Sequence, residues 1–285
     1  MIRWTPQGVV AYPRAVQIRL CLNHPQRIPG KAPSPSRTMT AEELEANLRH
    51  FTIGLDGPRS RPCTSLILSG MTPDFVAYTA DNIAHFSELG YAQLVLHLAP
   101  DFTEATRQIQ STPKLHIRKI CSLTSPQAFE TILTQKTDDL ELSIALNAVI
   151  LEAWPLVLEL LTHWTGPVLS LHYPYPSQDA PSRHSLSEIQ QLLKAILNKY
   201  PDRRIHLKGL PICYIHPLAF PFRQTGNRWY VDADHQEEDA LLFLPDVLQF
   251  YKTDACRFCP VDNQCDGFFL EHLQRGSFPP LHPPS

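Results

Sequence analysis

Seven short runs of β-branched and leucine-rich residues, separated by segments with helical periodicity, restrict this chain to one class of fold. The runs cover residues 16–22, 65–69, 93–98, 115–122, 141–146, 167–173 and 204–207. Helical patterns fall between them at 41–51 behind a Thr40 cap, and at 73–89, 102–110, 126–135, 153–163 and 185–199. Strands joined through helices return parallel to one another, and right-handed crossovers wind such units in one direction. The expectation is an α/β chain: a partial (β/α) barrel of about six units over residues 1–208, followed by a small cysteine-rich extension over 209–285. An open doubly wound sheet is the other arrangement the pattern allows. No G-x-G-x-x-G follows any of the runs, so the dinucleotide fingerprint that would favour that sheet is missing.

The extension carries the strongest chemical signal. Cys256, Cys259 and Cys265 stand in a C-x2-C-x5-C run, closed by Gly267. Two cysteines separated by two residues can turn both sulfurs toward one centre through a short turn, and a third from the following loop encloses it. A fourth ligand is needed, and Cys213, in Gly209-Leu-Pro-Ile-Cys213 just past the last strand, is the candidate donor. Soft thiolates select zinc or an iron–sulfur cluster, and spacing alone does not separate the two. The chain has seven cysteines, an odd number, which suits a reducing compartment and metal binding better than a disulfide framework. Cys63 and Cys121 fall outside the set and read as structural.

Composition narrows the class of function. The 285 residues are 43% hydrophobic and carry a formal net charge of −3, with no long basic run, which argues against nucleic acid as the main partner. No run of eighteen or more apolar residues occurs, and the first residues lack the basic-then-apolar plan of a secretory signal, so no membrane span and a cytoplasmic location are expected.

In a barrel of this kind chemistry collects where the strands end. Residues near those ends are Arg19, Cys21, His24, Gly70, Thr72, His97, Asn147 and His172, with His116 and His206 elsewhere on strands. A lone histidine on a strand is more often a hydrogen-bonded core group than a ligand. Residues 227–232 hold Trp229 and Tyr230, and read either as a short strand offering aromatic anchors to a partner or as a hairpin over the cysteine site.

The order of these parts resembles the radical S-adenosylmethionine superfamily: a first strand ending in a cysteine, a helix, a second strand with a Gly-containing turn before proline, a partial barrel, and a C-terminal cysteine extension. The turn Ser69-Gly70-Met71-Thr72-Pro73 is similar to the family's Gly-Gly-Glu-Pro turn, which makes Gly70 and Thr72 remnants of a cofactor contact. Cys213, Cys256, Cys259 and Cys265 resemble the ligands of an auxiliary cluster in peptide-modifying members. The resemblance therefore implies an iron–sulfur cluster, [4Fe-4S] in type, with structural zinc as the alternative.

Departures from the family pattern bear on activity. Active members hold their catalytic cluster with C-x3-C-x2-C, and here only Cys21 fits, because the other two positions are Pro25 and Ile28. The turn has lost its glutamate to Thr72 and its second glycine to Met71. S-adenosylmethionine binding and reductive cleavage are not expected. The resemblance then implies a degenerate homologue that binds a peptide or an active radical enzyme within a maturation or biosynthetic pathway. The alternatives are an enzyme with altered chemistry at Arg19, Cys21, His24, His97 and His172, and a zinc-stapled binding module.

Overall fold

A computed structural model describes residues 2–5, 8–11, 13–21, 37–53, 62–102, 105–135, 139–166, 169–174, 184–203, 205–216, 218, 228–243, 250–274 and 278–281. The chain opens with β1 (Ile2–Thr5), β2 (Gly8–Ala11), β3 (Ala15–Arg19), α1 (Ala41–Ile53) and β4 (Ser65–Ser69). Next come α2 (Pro73–Asp81), α3 (Ile83–Glu88), β5 (Gln93–Leu98), β6 (His116–Leu123), α4 (Pro126–Gln135) and β7 (Leu140–Ala145). Then follow α5 (Ala148–Glu152), α6 (Trp154–Leu160), β8 (Leu169–His172), α7 (Leu186–Lys199), β9 (Ile205–Lys208) and α8 (Ile212–Ile215). The chain finishes with β10 (Arg228–Val231), β11 (Leu241–Phe243), β12 (Phe250–Tyr251), β13 (Phe268–Phe269) and α9 (Leu270–Gln274). The fold is α/β, with mostly parallel strands alternating with helices, as the sequence pattern requires. Among the described residues no helix is long and apolar enough to cross a membrane.

Two compact units make up the chain, one of residues 1–121 and 227–244 and the other of residues 122–226 and 245–285. In the first, the strand order is β11-β10-β3-β4-β5-β6, parallel except for β11 at the edge. Register stacks the apolar positions: Val16 faces Leu66, Leu66 faces Leu94 and Leu94 faces Ile117. Side chains alternate across a strand, so Val16, Ile18, Leu66, Leu68, Leu94 and Leu96 form one buried face, while Gln17, Arg19, Ser69 and His97 stand half-buried on the other. The start of α1 is a capping box: Glu43 N donates to Thr40 Oγ1 at 3.1 Å and Thr40 N donates to Glu43 Oε2 at 2.8 Å, which satisfies two otherwise orphaned donors.

The second unit has β7, β8 and β9 side by side and parallel, with Leu142 facing Leu169 and Leu169 facing Ile205. Its longest helix, α7, begins at another capping box, Ser185 with Glu188, and buries Ile189, Leu193 and Ile196. Those positions recur every three or four residues, so one stripe packs inward. Each such side chain contributes about 1.5–3 kcal/mol, and loss of the Ser185 cap costs about 1 kcal/mol.

Three segments differ from the sequence pattern. The helix over 73–89 breaks at Asn82 into α2 and α3; Asn82 donates its side-chain amide back to Tyr78 O at 2.8 Å, a local bond that competes with the helix ladder. The helix over 102–110 does not form among its described residues: Phe102 closes a 3-10 turn, 105–108 are turns and 109–110 are irregular. A stretch this short is marginal without packing on both turns. Residues 228–231 form β10 beside β3, with Tyr230 only 5% exposed and Trp229 against the Phe51 ring at 5.9 Å. Tyr230 is therefore a core residue rather than an anchor offered to a partner.

Candidate metal centre

The cysteine site lies wholly within the second unit. Its first part is the exit from β9. Gly209 has φ +82°, and a Cβ there would lie 2.5 Å from Tyr173 O, so only glycine turns the chain out of the sheet at this point. Pro211 then starts α8, whose Tyr214 and Ile215 are buried, and Cys213 stands on this single turn, half-buried.

The second part is a loop closed by a two-stranded ladder. Phe250 pairs with Phe269 and Tyr251 with Phe268, and the rings of Phe250 and Phe269 stack with centroids 4.6 Å apart. Phe268, His272 and Phe278 join Tyr173 and Tyr214 in an aromatic cluster. Between the two strands the chain runs as two 3-10 turns, Asp254–Phe258 and Asp262–Gln264. Cys256 N donates to Thr253 O and Cys259 N donates to Cys256 O, both at 3.0 Å. In such a turn residues i and i+3 eclipse, which places Cys256 and Cys259 on one edge. Lys252 Nζ holds the loop by donating to Asp262 O at 2.8 Å and to Asp262 Oδ1 at 2.9 Å.

These parts meet around one pocket, with about 310 Å³ of atom-free space that is partly open to solvent. Cys213, Cys256, Cys259 and Cys265 all line it, with Lys252 and Gly267, and all four are free thiols. Burial pushes the Cys265 thiol up, while N–H donors from Ile212 and Gly267 and the Lys252 charge pull the other way. Gly267 N donates to Cys265 Sγ at 3.4 Å, and Thr253 Oγ1 lies 3.4 Å from Cys256 Sγ. Such contacts stabilise charge on sulfur.

The spacing of the sulfurs distinguishes between possible occupants. Four thiolates bound about 2.3 Å from one zinc stand about 3.8 Å apart. Among the described residues no three of these sulfurs lie within 4.8 Å of one another. Ligands of a multi-iron cluster bond different irons and stand farther apart than those of a single ion. Lys252 and Thr253 support this site, yet neither was conspicuous in the sequence, since their role comes from the loop's closure rather than from spacing.

The other candidates are not among the residues that line this pocket. Cys21 follows β3, forms a bridge with Thr38, accepts a hydrogen bond from Thr38 Oγ1 at 3.4 Å and is 7% exposed. Gly70, at φ +66°, packs against it so closely that a Cβ would lie 2.6 Å from Cys21 O. Thr72 caps α2, accepting a hydrogen bond from Phe75 N. Arg19 Nε donates to Cys21 O at 3.3 Å. His24, Pro25 and Ile28 lie outside the described residues.

Neither Cys63 nor Cys121 stands beside Cys21. Cys63 is at the opposite end of the sheet, its Sγ 3.9 Å from Pro13 O, and burial pushes its thiol up to about 12. Cys121 is fully buried on β6, opposite Leu98 of β5; three strand spacings of about 4.8 Å separate β6 from β3. Burial, with the Asp101 charge second, pushes its thiol up to about 12 as well.

The remaining strand-end groups have local roles. Asn147 caps α5, its Oδ1 accepting from Ile150 N at 2.9 Å and its amide donating to Thr124 O at 3.0 Å. His172 ends β8 with Nδ1 3.0 Å from Ser143 Oγ, and burial, with the Lys208 charge second, holds the ring down to about 4. His97 is half-buried on β5, His206 half-buried on β9, and His116 exposed at the start of β6.

No family model matches the chain, and no curated protein matches it in sequence. Its structure is similar to that of Streptococcus suis SuiB bound to S-adenosylmethionine, with a TM-score of 0.51 and 10% identity over 93% of this chain and 75% of that one. A second structure of Streptococcus suis SuiB aligns at a TM-score of 0.46 and 10% identity, covering 79% of this chain and 59% of that one. At this identity the likeness shows the fold alone, an α/β arrangement consistent with a partial (β/α) barrel.

Proposed function

We propose that this chain is a radical-S-adenosylmethionine-like protein that carries one iron–sulfur cluster on Cys213, Cys256, Cys259 and Cys265 and lacks the catalytic cluster of active members. The observation that carries the reading is the convergence of these four cysteines, distant in sequence, on one pocket with their sulfurs set wider than a single ion requires. The cluster would supply a redox centre or a rigid staple. The chain's own residues orient the thiolates through Gly209 and Gly267, donate N–H groups to Cys265, and lock the loop through Lys252.

Loss of catalysis at the first strand is supported by chemistry. Neither Cys63 nor Cys121 of the same unit stands beside Cys21, Thr38 engages its sulfur, and Thr72 is occupied as a helix cap where a carboxylate would hold the cofactor's ammonium. The role that fits is a peptide- or partner-binding component of a maturation or biosynthetic pathway. That part of the reading rests on the family resemblance of the cysteine extension and on the fold likeness to a protein solved with S-adenosylmethionine bound.

The test is anaerobic incubation of the cluster-loaded protein with S-adenosylmethionine and a strong reductant, alone and with any radical enzyme encoded beside it. No 5'-deoxyadenosine is expected from this chain alone, since chelation to an iron supplies both position and electron route, and misplacement by about 1 Å already costs on the order of 100-fold. Cleavage by the chain alone would overturn the degenerate reading in favour of an enzyme with altered chemistry. Cleavage only with the neighbour would support the role as a partner.

A further inference from the structure

A second constellation of ligating groups lies in the first unit, formed by α1 and the segment that follows β10. Asn47 and His50 are three residues apart and so share one face of α1. The segment is clamped across that face. Asn47, fully buried, donates Nδ2 to Gln236 Oε1 at 3.0 Å and accepts Glu237 N on Oδ1 at 2.9 Å, while Gln236 Nε2 donates to Glu43 Oε1 at 3.1 Å. Held this way, His50, Glu237 and Glu238 each bring one ligand atom within 4.8 Å of the other two. His50 Nε2 is shielded from solvent and has no hydrogen-bond partner, and a nitrogen of the same ring lies within 4.8 Å of an oxygen of each carboxylate.

We propose that His50, Glu237 and Glu238 bind a divalent first-row transition ion. Metal–nitrogen bonds run about 2.0–2.1 Å and metal–carboxylate bonds about 2.0–2.2 Å, so one ion between the three groups spans up to about 4.2 Å, a gap that small rotamer adjustments bring within reach. The ion satisfies the imidazole nitrogen and neutralises two adjacent carboxylates. One imidazole with two carboxylates suits manganese, iron or zinc, and is far less suited to the soft-metal chemistry of the four cysteines. Three protein ligands leave coordination positions open, and Glu238 is exposed, so water completes the shell from the solvent side. Bound there, the ion ties residues 236–239 to α1 at a place remote in sequence from the helix.

Manganese(II) is the probe, because thiolates take up this hard ion poorly and the cysteine site does not compete. Binding to the full, cluster-loaded chain is read by the loss of the free-ion electron paramagnetic resonance signal. The expected result is one manganese per chain, with affinity at least about 10-fold lower in Glu238→Gln and in His50→Gln. Glu238→Gln alters an exposed side chain and leaves the fold intact, so it decides the matter if His50→Gln folds poorly. Absence of stoichiometric binding in the wild type, or affinity unchanged in Glu238→Gln, would overturn the proposal.

Discussion

Gly267 lies so close to Tyr251 that a Cβ on the glycine would fall 2.4 Å from the tyrosine carbonyl oxygen. The backbone there has φ +88°, a region that side chains disfavour, and the same residue donates its N–H to Cys265 Sγ. One glycine therefore closes the cysteine loop onto β12 and positions the Cys265 sulfur. Gly267→Ala is expected to cost about 1–3 kcal/mol of local strain and to lower cluster content well below that of the parent, read by iron analysis after anaerobic purification. Full iron content in this variant would mean that the loop closes some other way.

Thr72 separates a capping role from a cofactor role. Its Oγ1 accepts from Phe75 N, so Thr72→Ala should destabilise the chain by about 0.5–1 kcal/mol through loss of the cap, and Thr72→Ser should restore it. Iron content should stay unchanged in both. Denaturant unfolding gives the first quantity. A drop in iron in Thr72→Ala would contradict the assignment of the cluster to the other unit.

The His172 ring, held down to about 4 by burial and then by the Lys208 charge, makes stability depend on pH in a defined sense. Between about pH 6.5 and pH 4 the unfolded chain binds a proton at this residue and the folded chain does not. Stability is thus lost as pH falls through that window, by up to about 3 kcal/mol at its lower end. His172→Asn should flatten this part of the profile. An unchanged slope in thermal melts between pH 7 and pH 4 would show that the ring is protonated in the folded chain.

Cys63 and Cys121, both pushed up to about 12, carry almost no thiolate at pH 8. Because the thiolate is the reactive form, iodoacetamide should leave both unmodified in the native protein and label them after unfolding, as read by peptide mass mapping. Rapid native labelling of either would show that its end of the strand opens.

The strands were legible because their apolar runs are short, leucine-rich and bounded by breakers, and β4 and β5 fall on residues 65–69 and 93–98 as read. The first run extends too far in sequence: Leu20 and Cys21 are apolar, yet the chain leaves β3 at Arg19 and bridges to Thr38 instead. The place of β10 beside β3 could not be read, since the pairing joins residues some two hundred positions apart and follows from tertiary packing. The cysteine spacing pointed directly to Cys256, Cys259 and Cys265 as neighbours on one pocket. Cys213 was legible only through its place after a strand and its family resemblance, and its position in the pocket depends on the φ +82° turn at Gly209. His50 offered no signal, because its neighbours Glu237 and Glu238 reach it only through the clamp at Asn47.

The most direct test of the central claim is iron and acid-labile sulfide per chain after anaerobic reconstitution, with zinc measured in the same samples, for the parent and for Cys213→Ala. The account predicts about four iron and four sulfide per chain, as for a four-cysteine [4Fe-4S] centre, and a clear loss of both in the variant. One tightly held zinc with no sulfide, or a parent-like cluster in Cys213→Ala, would contradict it.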